Sequence, residues 1–344
     1  MMAVSGYLVN RFGSRITLIL STVTYAIVLT SIPFSHDFAA LFLTLLLFGA
    51  AANLVNIALN TQACALEGIS GRNIMSSFHG LWSLGGLSGG ILGVLFIRSG
   101  VPIPVHYAGI AALCLCMALS GGRRLIADNR TSKPGDADTR GSLSLSGIDR
   151  TILLLGVIGF GGMFCEGTLF DWSGVYFATV VRPDEGLVRA GYIAGMGAMT
   201  LGRFLADGFV ARYRASAVLR GCGLLITSGL LSAVVFPYLL TATLGFLLVG
   251  FGISSIVPIC YSMAGRQRSM SASIAITVVS SVSFVGFMVG PPLIGLLSEA
   301  FDLRIALGAA SLFGLFIVLL AGRIKRNRRG GSNPSCDEIN YHQL

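Results

Sequence analysis

Residues 302–329 read DLRIALGAASLFGLFIVLLAGRIKRNRR. One apolar run, 302–322, is followed at once by five cations, while only Asp302 and Arg304 stand at its other end. A run of about 20 mostly apolar residues is what an α-helix needs to cross the hydrocarbon core of a bilayer. Working outward, similar runs recur over roughly 16–34, 38–65, 74–97, 103–122, 151–180, 187–210, 216–237, 240–264 and 271–298, which with 302–322 makes ten. With the gaps assigned alternately to two sides, and residues 6–15 inside, 20 of the 24 cations fall inside. Only Arg98, Arg182, Arg189 and Arg304 fall outside. That asymmetry sets a positive-inside orientation and supports the number of spans. The chain is therefore expected to be an all-α polytopic protein of the cell inner (plasma) membrane, with its C-terminus cytoplasmic.

Composition agrees. The mean hydropathy is +0.80, only 11% of residues are charged, and 45 are glycine. Soluble chains carry about 25% charge, and glycine lets membrane helices approach closely. The net charge of +9 then reports topology, and no nucleic-acid partner is expected. Six of the seven cysteines, Cys64, Cys114, Cys116, Cys165, Cys222 and Cys260, lie in apolar runs, and Cys336 lies in the tail. Their spacing suggests neither a metal site nor a disulfide framework. No nucleotide-binding Gly-rich motif occurs, so no cofactor is expected.

The longest polar stretch, 121–150, reads as a linker between four spans and six. The two sides of it repeat. Arg11 and Arg212, Gly49 and Gly250, Gly85 and Gly286, and Gly89 and Gly290 are each separated by 201 residues and occupy equivalent places among the spans. Two parallel-related halves are a transporter pattern. On a six-plus-six plan, 16–34 would be the third helix. The expected organisation is 1–122 as an N-terminal bundle lacking helix 1 and most of helix 2, 123–150 as a cytoplasmic linker, 151–322 as a complete second bundle, and 323–344 as a cytoplasmic tail.

GYLVNRFGSR (6–15) resembles the loop 2–3 signature of the major facilitator superfamily through Gly6, Arg11, Gly13 and Arg15, with Asn10 where an acid is usual. FHGLWSLGGLSGGILG (78–93), CEGTLFDW (165–172) and VGPPLIGLLSE (289–299) resemble the bacterial YbjJ-type inner-membrane permeases, distantly similar to fucose-permease-like sugar transporters. The resemblance implies a two-bundle fold, alternating access and no enzymatic activity.

Glu166 and Asp171 interrupt the 151–180 run, with Trp172 beside Asp171. An intramembrane carboxylate is a candidate functional group, because it is costly unless paired or hydrated. Glu166 lies near mid-span and is a candidate proton carrier; the alternative is a structural pair with a cation such as Arg203. Asp171 lies nearer the outer end. Asn53, Asn56 and Asn60 share one helix face at i, i+3 and i+7, with Gln62 nearby. Amides suit sugar hydroxyls, although they also hold membrane helices together. His79 could shuttle protons, Trp82 could stack on a sugar ring, and Tyr261 falls 201 residues after Asn60. Ser280, Ser281 and Ser283 are further candidates for the cavity wall. Gly290-Pro291-Pro292 is expected to bend its helix. Arg11, Arg15, Arg203, Asp207 and Arg212 are candidate gating residues, with Arg203 and Asp207 spaced to pair along one helix face. Glu67 is expected to anchor its loop near Arg72.

The leading expectation is a proton-coupled secondary transporter of a small polar, sugar-like solute, monomeric, with membrane lipid as its surroundings. Efflux of amphipathic or cationic drugs, and a non-transporting truncated fragment or sensor, stay open beside it.

Overall fold

The computed structural model describes residues 2–127, 149–267 and 270–324. Most of the expected linker and tail therefore lie outside the described residues, as do Arg130, Lys133, Arg140, Arg268, Lys325, Arg326, Arg328, Arg329 and Cys336.

All regular structure among the described residues is helical. The first group is α1 (Met2–Phe12), α2 (Ser14–Ser31), α3 (Phe38–Ser70), α4 (Met75–Arg98) and α5 (Ile103–Gly122). The second is α6 (Arg150–Tyr176), α7 (Ala190–Arg212), α8 (Ala215–Val235), α9 (Leu239–Ser254), α10 (Ile256–Gly265), α11 (Ala272–Ala300) and α12 (Leu303–Arg323). A π-helical turn, Phe177–Val181, extends α6. The helix starts follow from local chemistry. The carboxylates of Asp37, Asp149 and Asp302 accept the backbone N–H of Ala40, Thr151 and Ile305, each at 2.7 Å, which satisfies donors that a helix start otherwise leaves open. Gly71 ends α3 with φ of 63°, a conformation that glycine adopts without a Cβ penalty.

Eight of the ten expected spans are long and apolar enough to cross a membrane, and the chain is a multi-pass membrane protein. The other two, α4 with 24 residues and α7 with 23, are helices as well. They carry much of the polar chemistry and pack against each other across the two groups, so their polar faces avoid lipid. The second seam lies between α1 and α11.

The 201-residue offset reappears as contacts. Asp207 meets Ser76 at the α7–α4 seam, and their counterparts Gly6 and Thr277 meet at the α1–α11 seam. Elsewhere the surroundings differ. A Cβ on Gly286 would fall on the carbonyl oxygen of Phe160 in α6, whereas one on its counterpart Gly85 would meet nothing within 4 Å. The tight α6–α11 packing has no equivalent at Gly85 among the described residues. α11 runs without interruption through Pro291 and Pro292.

Candidate functional site

A pocket opens where the two groups meet, near the middle of the spans. Its cavity volume is about 120 Å³, smaller than a typical drug-sized site. α3 contributes Asn56 and Asn60, α4 His79 and Trp82, α6 Glu166, α7 Arg203, α10 Tyr261 and α11 Phe284. Both helix groups thus supply its walls.

Glu166 and Arg203 form its charged floor. Arg203 Nη2 lies 3.2 Å from Glu166 Oε1, with the side chains 4% and 7% exposed respectively. Arg203 Nη1 donates to Ser83 Oγ on α4, so this cation joins the two groups. Its Nε–H has no acceptor among the described residues. The guanidinium also lies 5.6 Å from the ring centroid of Trp82. Trp82 itself is 64% exposed and stands at the pocket mouth. Next to this pair, Asn60 Nδ2 donates to the Asn56 carbonyl at 2.8 Å, and its Oδ1 sits 3.2 Å from His79 Nε2. His79 meets the ring of Tyr261 edge-on at 5.8 Å.

Several expected residues fall elsewhere. Asn53 donates to Ser5 Oγ at 2.9 Å, binding α3 to α1 away from the pocket wall. Asp171 is exposed, and Trp172 donates its indole N–H to the Pro291 carbonyl at 3.0 Å, bracing α11. Ser280 and Ser283 are buried, and Ser281 and Ser283 bond carbonyls of their own helix. None of the three lines the pocket. Gln62 clamps the chain after α5 through the Ile126 carbonyl and N–H.

The expected Arg203–Asp207 pair is absent, for a geometric reason. Side chains tilt toward the N-terminus of their helix, which carries the long Arg203 toward mid-span and Glu166. Asp207 stays level with the start of α4. There it accepts the N–H of Ser76 at 3.0 Å and of Ser77 at 2.7 Å. Glu67 does the same from α3, accepting the N–H of Ile74 at 2.8 Å and of Met75 at 2.9 Å. Two carboxylates, one from each group, thereby satisfy the four amides that a helix start leaves without intrahelical partners, and their charge suits that end of the helix dipole. Glu67 also takes Ser262 Oγ and, at 3.1 Å, Arg266 Nη2. Its cation is thus Arg266 on the opposite group and not Arg72. Among the other gating candidates, Arg15 Nε donates to the Gly122 carbonyl at 3.1 Å. Arg11 bonds Tyr7 within α1 at 2.8 Å, and Arg212 lies over the Tyr213 ring at 5.8 Å; both are exposed.

Ser83 and Arg266 were missed from the sequence. Ser83 stands four residues after His79, on the same helix face, which is a usable signal. Arg266 gave none.

Residues 1–274 match the family model described as the Major Facilitator Superfamily. An uncharacterized MFS-type transporter of Yersinia pestis is 29% identical over 327 residues, covering 94% of this chain and 83% of its own length. The membrane protein MosC of Rhizobium meliloti is 28% identical over 342 residues, covering 97% and 80%. Among solved structures, the fucose:proton symporter FucP of E. coli is similar with a TM-score of 0.77 at 14% identity, covering 94% of this chain and 87% of that one. The human organic anion transporter MFSD10 is similar with a TM-score of 0.75 at 16% identity, covering 93% and 80%. At such identities the likeness is one of fold.

Proposed function

Because the chain belongs to the Major Facilitator Superfamily, whose members here are transporters and not enzymes, we propose that it carries a small polar, sugar-like solute by alternating access, coupled to a proton through Glu166. The observation that supports this reading is the pocket whose walls come from both helix groups and whose buried charge is one carboxylate held by one guanidinium. A site shared by two bundles that rock against each other can face each side in turn. Glu166 is the carboxyl whose protonation would change the bond between the groups, since its partner Arg203 also holds Ser83. Asn56 and Asn60 offer donors and acceptors to hydroxyls, and Trp82 offers a ring face.

The end of the bundle rich in cations is then the cytoplasmic end, in an inner membrane. There Asp207 and Glu67 hold the groups together, which supports reading this as the state closed to the cytoplasm. Opening requires Asp207 to release Ser76 and Ser77, and Glu67 to release Ser262 and Arg266. Cationic drug efflux fits less well, because the carboxylate in the pocket already has its counter-ion.

The test is thermal unfolding of the purified protein in detergent against panels of sugars and of cationic amphiphiles, at acidic and neutral pH. A ligand that binds the folded state raises its melting temperature. The proposal expects shifts from polar solutes, lost in Asn56→Ala and changed in their pH response by Glu166→Gln. Shifts from the amphiphiles alone would refute it.

A further inference from the structure

The charge balance of the pocket narrows the class of solute, on the reading that this pocket is the transport site. Arg203 is a buried cation with one counter-ion, Glu166, at 3.2 Å. Among the described residues, no second carboxylate lines the pocket. The other titratable groups facing the pair are His79 from α4 and Tyr261 from α10; α3 presents the neutral amides Asn56 and Asn60, and α11 presents Phe284.

The pocket is therefore neutral only while Glu166 is ionised. A proton arriving alone on Glu166 leaves a buried guanidinium without a counter-ion, a state that low-dielectric surroundings penalise heavily. An anion arriving alone meets a cation that is already neutralised. A proton and an anion arriving together restore balance. The proton goes to the Glu166 carboxyl, and the anion takes the place of that carboxylate on Arg203. A neutral solute offers no such compensation. The guanidinium also has spare capacity. Its Nε–H has no acceptor among the described residues, and a planar fork with a free N–H suits a carboxylate held through two oxygens. Asn56, Asn60 and the Trp82 ring flank the same space.

We infer that the solute is a small hydroxylated monocarboxylate of the sugar-acid type, which enters with one proton on Glu166 and moves no net charge.

The experiment is calorimetric titration of the purified full chain with D-gluconate and D-galacturonate, and with D-glucose and D-galactose, from about pH 5 to pH 8, a window that spans imidazole titration and lies above the ordinary carboxyl range. The acids are expected to bind about tenfold more tightly per pH unit lowered, as uptake of one proton with one anion requires. Glu166→Gln is expected to bind them with no pH slope, and Arg203→Gln not at all. Arg203→Lys keeps the charge without the fork and should retain weaker, sloped binding, which separates loss of the anchor from misfolding. His79→Gln should keep the slope; its loss there, with the slope kept in Glu166→Gln, would overturn the proton's assignment. A neutral hexose that binds as tightly as its acid, with a slope that needs Glu166, would overturn the carboxylate and leave proton-coupled transport of a polar solute standing. No binding of any of the four by wild type and Glu166→Gln would overturn the inference, while binding of a different polar solute in the thermal test would keep the broader reading.

Discussion

The Asp207 carboxylate accepts the backbone N–H of Ser77 at 2.7 Å from across the seam between the two helix groups. A helix start in one half of the protein is thus capped by an acid in the other half. The start of α4 carries His79, Trp82 and Ser83 within its first turns, so the cap and the pocket wall share one helix. At the counterpart seam Gly6 stands where Asp207 does and packs directly on Thr277.

Removing the cap should loosen the seam without unfolding the chain. Asp207→Ala is expected to cost about 1 kcal/mol, the usual value of an N-cap. Amide hydrogen exchange at Ser76 and Ser77 should quicken, while exchange in α9 stays unchanged. Unaltered exchange at these two amides would count against a latch.

Glu67 should matter more than its cation. It is 1% exposed and serves two amides, one hydroxyl and one guanidinium. Glu67→Ala leaves those donors open and is expected to cost about 3 kcal/mol, as loss of one partner from a buried charged network does. The side chain of Arg266 is 50% exposed, and Arg266→Ala leaves the Glu67 carboxylate two amides and one hydroxyl as donors, so it should lower the melting temperature less. Equal losses would contradict this division.

The two repeat-related glycines should respond differently to the same change. Gly286→Ala drives a methyl into the Phe160 carbonyl and is expected to cost about 1–3 kcal/mol. Gly85→Ala has open space around it and should be neutral or slightly stabilising, since alanine is the better helix former. Thermal unfolding of both variants in one detergent decides the matter.

Trp82 is exposed yet lies over Arg203 at 5.6 Å. Trp82→Ala should leave the melting temperature almost unchanged and weaken ligand binding about tenfold, roughly 1.4 kcal/mol, within the range of a partly desolvated cation–π contact. A large fall in stability with intact binding would make the tryptophan structural.

Much of this was legible in the chain. The apolar runs and the side on which the cations lie gave the spans, because crossing a bilayer constrains composition over long stretches. The spacing of Asn56 and Asn60 placed them on one face, and the 201-residue offset placed Tyr261 opposite Asn60 in the pocket. What the chain concealed was which partner each polar group chooses. Asp207 and Arg203 have the spacing of an intrahelical pair, yet each has a better partner on another helix: open amides across the seam for the acid, and the buried carboxylate of Glu166 on α6 for the arginine. Asn53 shares the face of Asn56 and Asn60 and still meets Ser5, because α1 covers that turn. Such choices depend on which helices become neighbours, and periodicity within one helix carries no record of that.

Proton coupling through Glu166 is tested by solute-driven proton entry into proteoliposomes, measured with a trapped pH dye for the wild type and for Glu166→Gln, with solute counterflow measured in parallel. The wild type is expected to acidify the lumen when solute is added outside. Glu166→Gln should lose that acidification and keep counterflow exchange, because the pocket still opens to each side in turn. Undiminished proton entry in Glu166→Gln would show that Glu166 does not carry the coupled proton.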